Sequence, residues 1–178
     1  MSLTRRDFLT AAAAALGGGL LSCSSPLRKL SDDPFRLGVA SGDPSPDGFV
    51  LWTRLAPEPL APAGGMPSSD VVVTWRIAED EALSKVVRAG EAAARPDLGH
   101  SVHVEVEGLQ PDRPYWYQFR VGDAASATGR ARTAPLAGAA PGRVRIGLAS
   151  CNHFEHGHFT AFDHMVREDF DIVIHVGD

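Results

Sequence analysis

Between His100 and Val121 the chain reads HSVHVEVEGLQPDRPYWYQFRV, and its apolar residues recur every second position on both sides of a short Gly/Pro-containing break. Val102, Val104 and Val106 fall on one face of an extended segment. Beyond the break Tyr115, Tyr117 and Phe119 share one face while Trp116, Gln118 and Arg120 share the other. A period of two is incompatible with a helix, whose apolar positions recur at 3.6, so this stretch demands strands with one face buried. Other segments between about Phe35 and Thr133 agree. FRLGVASG and FVLWTRL flank the turn cluster DPSPDG, and VVVTWRIAED and KVVRAGEAAA follow the Pro/Gly-rich loop APEPLAPAGGMPSSD. Short strands bounded by turn residues at this spacing predict a two-sheet β-sandwich over residues 35–133. Core packing is the plainer role for Trp52, Trp75 and Trp116, ahead of ligand stacking.

Leu109-Gln110-Pro111 followed by Tyr115 sharpens that expectation, because it resembles the Leu-x-Pro and corner tyrosine of fibronectin type III domains. In such a corner the phenol bonds nearby backbone.

The two ends of the chain follow different rules. Thr4 to Cys23 has a charged start, a short Ala/Gly/Leu run and a polar end, too short for the roughly 20 apolar residues of a membrane-spanning helix and consistent with an export signal. Arg5-Arg6 before Asp7-Phe8-Leu9 resembles the twin-arginine pattern, which implies the twin-arginine translocase as an export partner. Leu20-Leu21-Ser22-Cys23 resembles a lipobox, so residues 1–23 are expected to be a signal in which Cys23 is either lipidated, anchoring the protein to the membrane, or removed or left unmodified. The expected location is the periplasm or cell envelope. Residues 24–34 read as a tether, and residues 134–143, rich in Pro, Gly and Ala, as a second connector.

From Val144 the period changes. VRIGLAS and DIVIHV are continuous apolar runs, and between them Gly157 to Arg167 carries Phe159, Phe162, Met165 and Val166 at helical spacing, predicted to face a core. That order predicts a β-α-β unit with parallel strands of the kind covered on both faces. In open α/β sheets, working groups gather beyond the carboxyl ends of strands. Cys151 follows the first of these strands and Asp178 the second, so a right-handed crossover would bring a thiolate and a carboxylate together. A thiolate suits zinc or iron, and an aspartate suits hard cations and can bridge two metals, so the pair predicts a mixed site holding iron or zinc, with room for a second hard cation. Five nearby histidines divide by position. His153, His156 and His158 belong to the loop after the first strand, His164 to the helix, and His175 to the second strand, where a core histidine or one bracing a ligand is expected.

FRLGVASGDPSPDGFVLWTRLAP, from Phe35, closely resembles the start of the N-terminal domain of PhoD-like alkaline phosphatases, and GLASCNHFEHGHFTAFDHMVREDFDIVIHVGD, from Gly147, resembles the opening of their metallophosphatase domain. The resemblance implies a fibronectin type III-like all-β sandwich followed by the first β-α-β unit of an α/β calcineurin-like metallophosphatase domain, spanning 144–178. It implies an exported phosphatase and phosphodiesterase, acting on phosphate mono- or diesters at a site of ferric iron and calcium. Cys151 takes the position of the iron-binding cysteine and Asp178 that of an aspartate that binds iron and can bridge to calcium. The family's remaining donors lie beyond residue 178. A chain carrying only these two is expected to be a catalytically inactive fragment of a longer enzyme, with no further catalytic residue of its own. The competing expectation is a surface-anchored β-sandwich binding module with a vestigial tail. A nucleic-acid partner is disfavoured by a net charge of -5 and the absence of a basic stripe. A thiol redox role for Cys151 is disfavoured by the lack of a second nearby cysteine.

Overall fold

A computed structural model of the chain describes residues 33–140, 142–153 and 155–178. Arg5, Arg6, Cys23 and the proposed signal and tether up to residue 32 lie outside the described residues.

Eight strands build the first part: β1 (Val39–Ser45), β2 (Gly48–Arg54), β3 (Val71–Ala78), β4 (Val86–Ala94), β5 (Ser101–Val106), β6 (Pro114–Val121), β7 (Ala124–Ala125) and β8 (Gly129–Arg132). They form two antiparallel sheets. One has the order β1-β2-β5; the other has the order β4-β3-β6, with β7 and β8 both pairing along the remaining edge of β6. The alternation dictates which side is buried. Val102, Val104 and Val106 of β5 and Leu51 of β2 are buried from one sheet, and Val73, Ile77, Tyr115, Tyr117 and Phe119 from the other. Phe49 of β2 and Tyr115 of β6 meet across the gap with ring centroids 6.2 Å apart, so the two buried faces oppose one another as a sandwich.

The predicted corner is present. The Gln110 N–H donates to the Tyr115 hydroxyl at 2.9 Å, and Thr133 Oγ1 ties the same corner from the other side, donating to the Gln110 carbonyl at 2.7 Å and accepting the Arg113 N–H at 3.1 Å. Backbone groups at the turn after β5 are thereby satisfied without a neighbouring strand.

Several expectations need correction. The first strand starts at Val39 rather than Phe35, because Phe35 sits in a turn closed by the Gly38 N–H on the Phe35 carbonyl at 2.7 Å. Trp52, Trp75 and Trp116 are only partly buried, whereas the smaller Leu51, Val73, Ile77 and Phe119 are fully buried. Trp52 and Trp116 have the polar-side parity of their strands. Trp75 has inward parity but stands beside the edge strand β4, where a Cβ on Gly90 would meet its ring.

Beyond the connector, β9 (Ile146–Ala149) and β10 (Ile172–His175) pair in parallel, with Ile146 opposite Ile172 and Ala149 opposite His175. One short helix, α1 (Thr160–Met165), lies between them in sequence. It is shorter than the predicted 157–167. Phe159 precedes it with a left-handed φ of 52°, and Val166 follows at 83% exposure, so neither faces a core. The segment containing α1 packs on the β9 half of one side of the pair: a Cβ on Gly147 would press on Met165 and Phe170, while Val173 beside it stays exposed. The other side, bearing Ile146, Leu148, Ile172 and Ile174, is open to solvent. His175 is exposed rather than in a core.

Charged side chains join this tail to the sandwich. Arg130 and Arg132 of β8 reach Asp169 and Asp171, each at 3.1 Å, and Arg132 also holds Asp112 at 2.8 Å.

Candidate metal centre at the ends of β9 and β10

The chain leaves β9 and β10 side by side, and hydrogen bonds continue past the last paired residues. The Val176 N–H donates to the Ala149 carbonyl at 3.0 Å, the Cys151 N–H to the Gly177 carbonyl at 3.1 Å, and the Asn152 N–H to the Asp178 carbonyl at 2.6 Å. The ladder therefore runs to the two predicted site residues. There the backbone turns: Cys151, Gly177 and Asp178 have φ of 54°, 86° and 72°. Such values suit glycine at position 177 but cost energy at a cysteine or aspartate, and strain of this kind tends to persist where surrounding structure enforces it.

The result is a contact between side chains 27 residues apart. Cys151 Sγ lies 3.5 Å from Asp178 Oδ2, and both residues are exposed. A thiol and a carboxylate at this distance can share a proton or present a soft and a hard donor to one cation. The pair fits part of a metal centre by donor chemistry. It does not make a whole one, since among the described residues no group of three His, Cys, Asp or Glu side chains converges.

The histidines are arranged differently from a ligand cluster. His153 and His156 stack with ring centroids 4.4 Å apart, and His153 Nδ1 accepts the Glu155 N–H at 3.2 Å. His158 and His164 are exposed. His175 Nδ1 accepts the Gly177 N–H at 3.1 Å, and its ring stands 6.0 Å from that of Phe162. An accepting Nδ1 leaves the proton of the neutral ring on Nε2, so His175 buttresses the Gly177-Asp178 turn through one defined tautomer.

Sequence reasoning also passed over Asp171. Its Oδ2 accepts the Arg145 N–H at 2.9 Å while its own N–H donates to the Arg145 carbonyl at 2.9 Å, a reciprocal clasp at the base of the two strands. The visible signal was the pair Asp169-x-Asp171 just ahead of an apolar run, two charges placed to meet Arg130-x-Arg132 at the same spacing.

Comparison with known proteins puts both stretches in one family. The N-terminal domain of PhoD-like phosphatases matches residues 22–135, and the PhoD-like phosphatase domain matches residues 146–178. Alkaline phosphatase D of Bacillus subtilis (strain 168) is 50% identical over 148 residues, which is 83% of this chain and 25% of that protein. A solved structure of PhoD superposes with a TM-score of 0.81 at 50% identity, covering 83% of this chain and 28% of that one. A fibronectin type III domain of human collagen alpha-1(XX) chain aligns at 20% identity over 60% of this chain and 86% of its own, but with a TM-score of 0.35. That score is too low to argue from, and the sandwich stands on its own strand pairing. The chain thus spans about a quarter of the length of the relatives it matches, and it belongs to the PhoD-like phosphatase family.

Proposed function

We propose that this chain contributes the sandwich and the first two metal donors of an exported phosphoric ester hydrolase acting on phosphate mono- or diesters. Cys151 and Asp178 are its donors to a centre of ferric iron and calcium, the metals implied by the family resemblance. The observation that carries this is the 3.5 Å approach of Cys151 Sγ to Asp178 Oδ2 at the carboxyl ends of two parallel strands, in a chain of this family. Bound metals would polarise the phosphoryl oxygens and lower the pKa of a water nucleophile. The chain's own residues fix where two donors stand: the β9–β10 ladder brings them together, and His175 braces the turn that carries Asp178. Residues 144–178 are proposed as the opening of an α/β catalytic domain. The uncovered face of Ile146, Leu148, Ile172 and Ile174 supports that, since parallel strands of this composition are normally covered on both sides.

Export through the twin-arginine translocase by way of Arg5 and Arg6, with Cys23 as the lipid-bearing residue of a periplasmic or envelope protein, is proposed on the motif resemblance alone. Mass spectrometry of the mature amino terminus tests it: a diacylglyceryl-modified Cys23 supports the anchor, and an unmodified cysteine or another start removes it.

The catalytic proposal is tested by substitution in a protein extended to the length of its relatives. Cys151→Ser and Asp178→Asn should each lower iron content and phosphate ester hydrolysis together, and full activity with normal iron in either variant would contradict it.

Burial favours a second reading, in which the sandwich is a binding module and the tail vestigial. Among the described residues no side chain after Thr133 is buried, whereas the sandwich has a complete core.

A further inference from the structure

The β9–β10 pair has an unusual weakness: little in its packing fixes which residue of one strand faces which of the other. Register is well specified where a slip would move apolar side chains out of a core. Here Ile172, Ile174 and Val176 alternate on one side of β10, and all three are exposed, at 43%, 43% and 65%. A slip of two residues would exchange Ile174 for Ile172 or Val176 on an open face, and of the apolar packing only that of Phe170 against Gly147 would oppose it. Yet the same slip would carry Asp178 away from Cys151.

We propose that Asp171 is the register pin of this pair and so positions Asp178, with Arg132 tying the pin to the sandwich. Asp171 ties the start of β10 to two other segments at once. Its carboxylate takes the Arg145 N–H ahead of β9 at 2.9 Å and the Arg132 guanidinium of β8 at 3.1 Å, while its N–H returns a bond to the Arg145 carbonyl at 2.9 Å. Arg132 is itself anchored to Asp112 at 2.8 Å, and Arg145 grips Glu168 at 2.6 Å, just before the pin. Exposed ion pairs contribute little singly, but a carboxylate that accepts a backbone N–H at one defined position discriminates between registers: a two-residue shift one way presents Val173 there, and a shift the other way presents Asp169, which must then give up Arg130. The sandwich thereby acts as a template for the spacing of two groups at the far end of the strands. Its consequence for a metal centre rests on the function proposed above, but the pinning itself does not.

Cysteine trapping tests the pin without metal or substrate. The full chain carrying Cys23→Ser and Asp178→Cys is exposed to oxidised glutathione, which accepts the two electrons as the Cys151 thiol and the introduced thiol form a disulfide. A parallel chain carries Val176→Cys in place of Asp178→Cys. Adding Asp171→Ala should slow trapping at 178 by about tenfold, the worth of one hydrogen bond to a charged group, and speed trapping at 176. Asp171→Asn, which keeps an acceptor for the Arg145 N–H, should restore most of the rate at 178, and Arg132→Ala should give an intermediate loss. Unchanged trapping at 178 in Asp171→Ala would overturn the proposal. So would an equal fall at both positions, which would mean that the tail melts rather than slips, or failure of the Asp178→Cys parent to cross-link at all.

Discussion

The Tyr115 hydroxyl accepts the Gln110 N–H at 2.9 Å while its ring lies buried against Phe49, so one side chain closes a turn and joins the two sheets. Tyr115→Phe removes the acceptor but keeps the ring. The Gln110 N–H then loses its partner, and the sandwich should be destabilised by about 1–3 kcal/mol. Urea unfolding followed by tryptophan fluorescence measures this. A midpoint equal to that of the parent would show that the corner bond is replaced by water at no cost.

Tyr117 makes stability depend on alkaline pH. Burial pushes its phenol up to about 12 from an ordinary value of 10.0. Because the folded value is the higher one, the neutral phenol's contribution is complete below pH 10 and is lost as pH rises from 10 towards 12. The loss amounts to roughly 2–3 kcal/mol at the top of that range. Tyr117→Phe should therefore flatten the fall in stability between those limits relative to the parent. Parallel curves for the two proteins would contradict it.

Gly129 begins β8, and a Cβ placed there would overlap the Tyr117 ring. Gly129→Ala should accordingly cost about 1–3 kcal/mol through overpacking. Double substitution with Tyr117→Leu should recover part of that cost by vacating the space, which a thermodynamic cycle on the four proteins would detect. An additive cycle would mean the two residues do not collide.

Legibility followed the strength of the local pattern. In β5 and β6 the alternation was clean because one face packs on the opposite sheet and the other meets solvent, so Val102, Val104, Tyr115 and Phe119 could be assigned to the core directly. The tyrosine corner was readable because Leu109-Gln110-Pro111 and Tyr115 are close in sequence. The extent of α1 was not: Phe159 and Val166 keep helical spacing but lack tertiary partners, and apolar periodicity alone does not sustain a short helix. The tryptophans misled because Trp52 and Trp116 fall on the outward positions of β2 and β6, whose alternation puts Leu51, Tyr115 and Tyr117 inside, and Trp75 stands beside the edge strand β4. Cys151 and Asp178 were legible as a pair because each follows a strand end. The parts played by Asp171 and His175 depend on backbone partners at Arg145 and Gly177, and which backbone group a side chain meets is decided only once the strands are in register.

On the proposed function, the described residues hold at most two of the donors a two-metal hydrolytic centre needs, since no group of three converges. The purified 178-residue chain, supplied with iron and calcium, should not hydrolyse p-nitrophenyl phosphate above the rate of free metal. Robust turnover that depends on the protein would show that a working centre assembles from these residues alone.

The most direct test of the central claim is cobalt(II) titration of the full chain carrying Cys23→Ser, followed by the near-ultraviolet charge-transfer band that a cobalt-bound thiolate produces. If Cys151 and Asp178 share a cation, the band appears, disappears in Cys151→Ser, and requires at least about tenfold more cobalt in Asp178→Asn. A band that survives Cys151→Ser, or an affinity unmoved by Asp178→Asn, would contradict the assignment of these two residues to one metal.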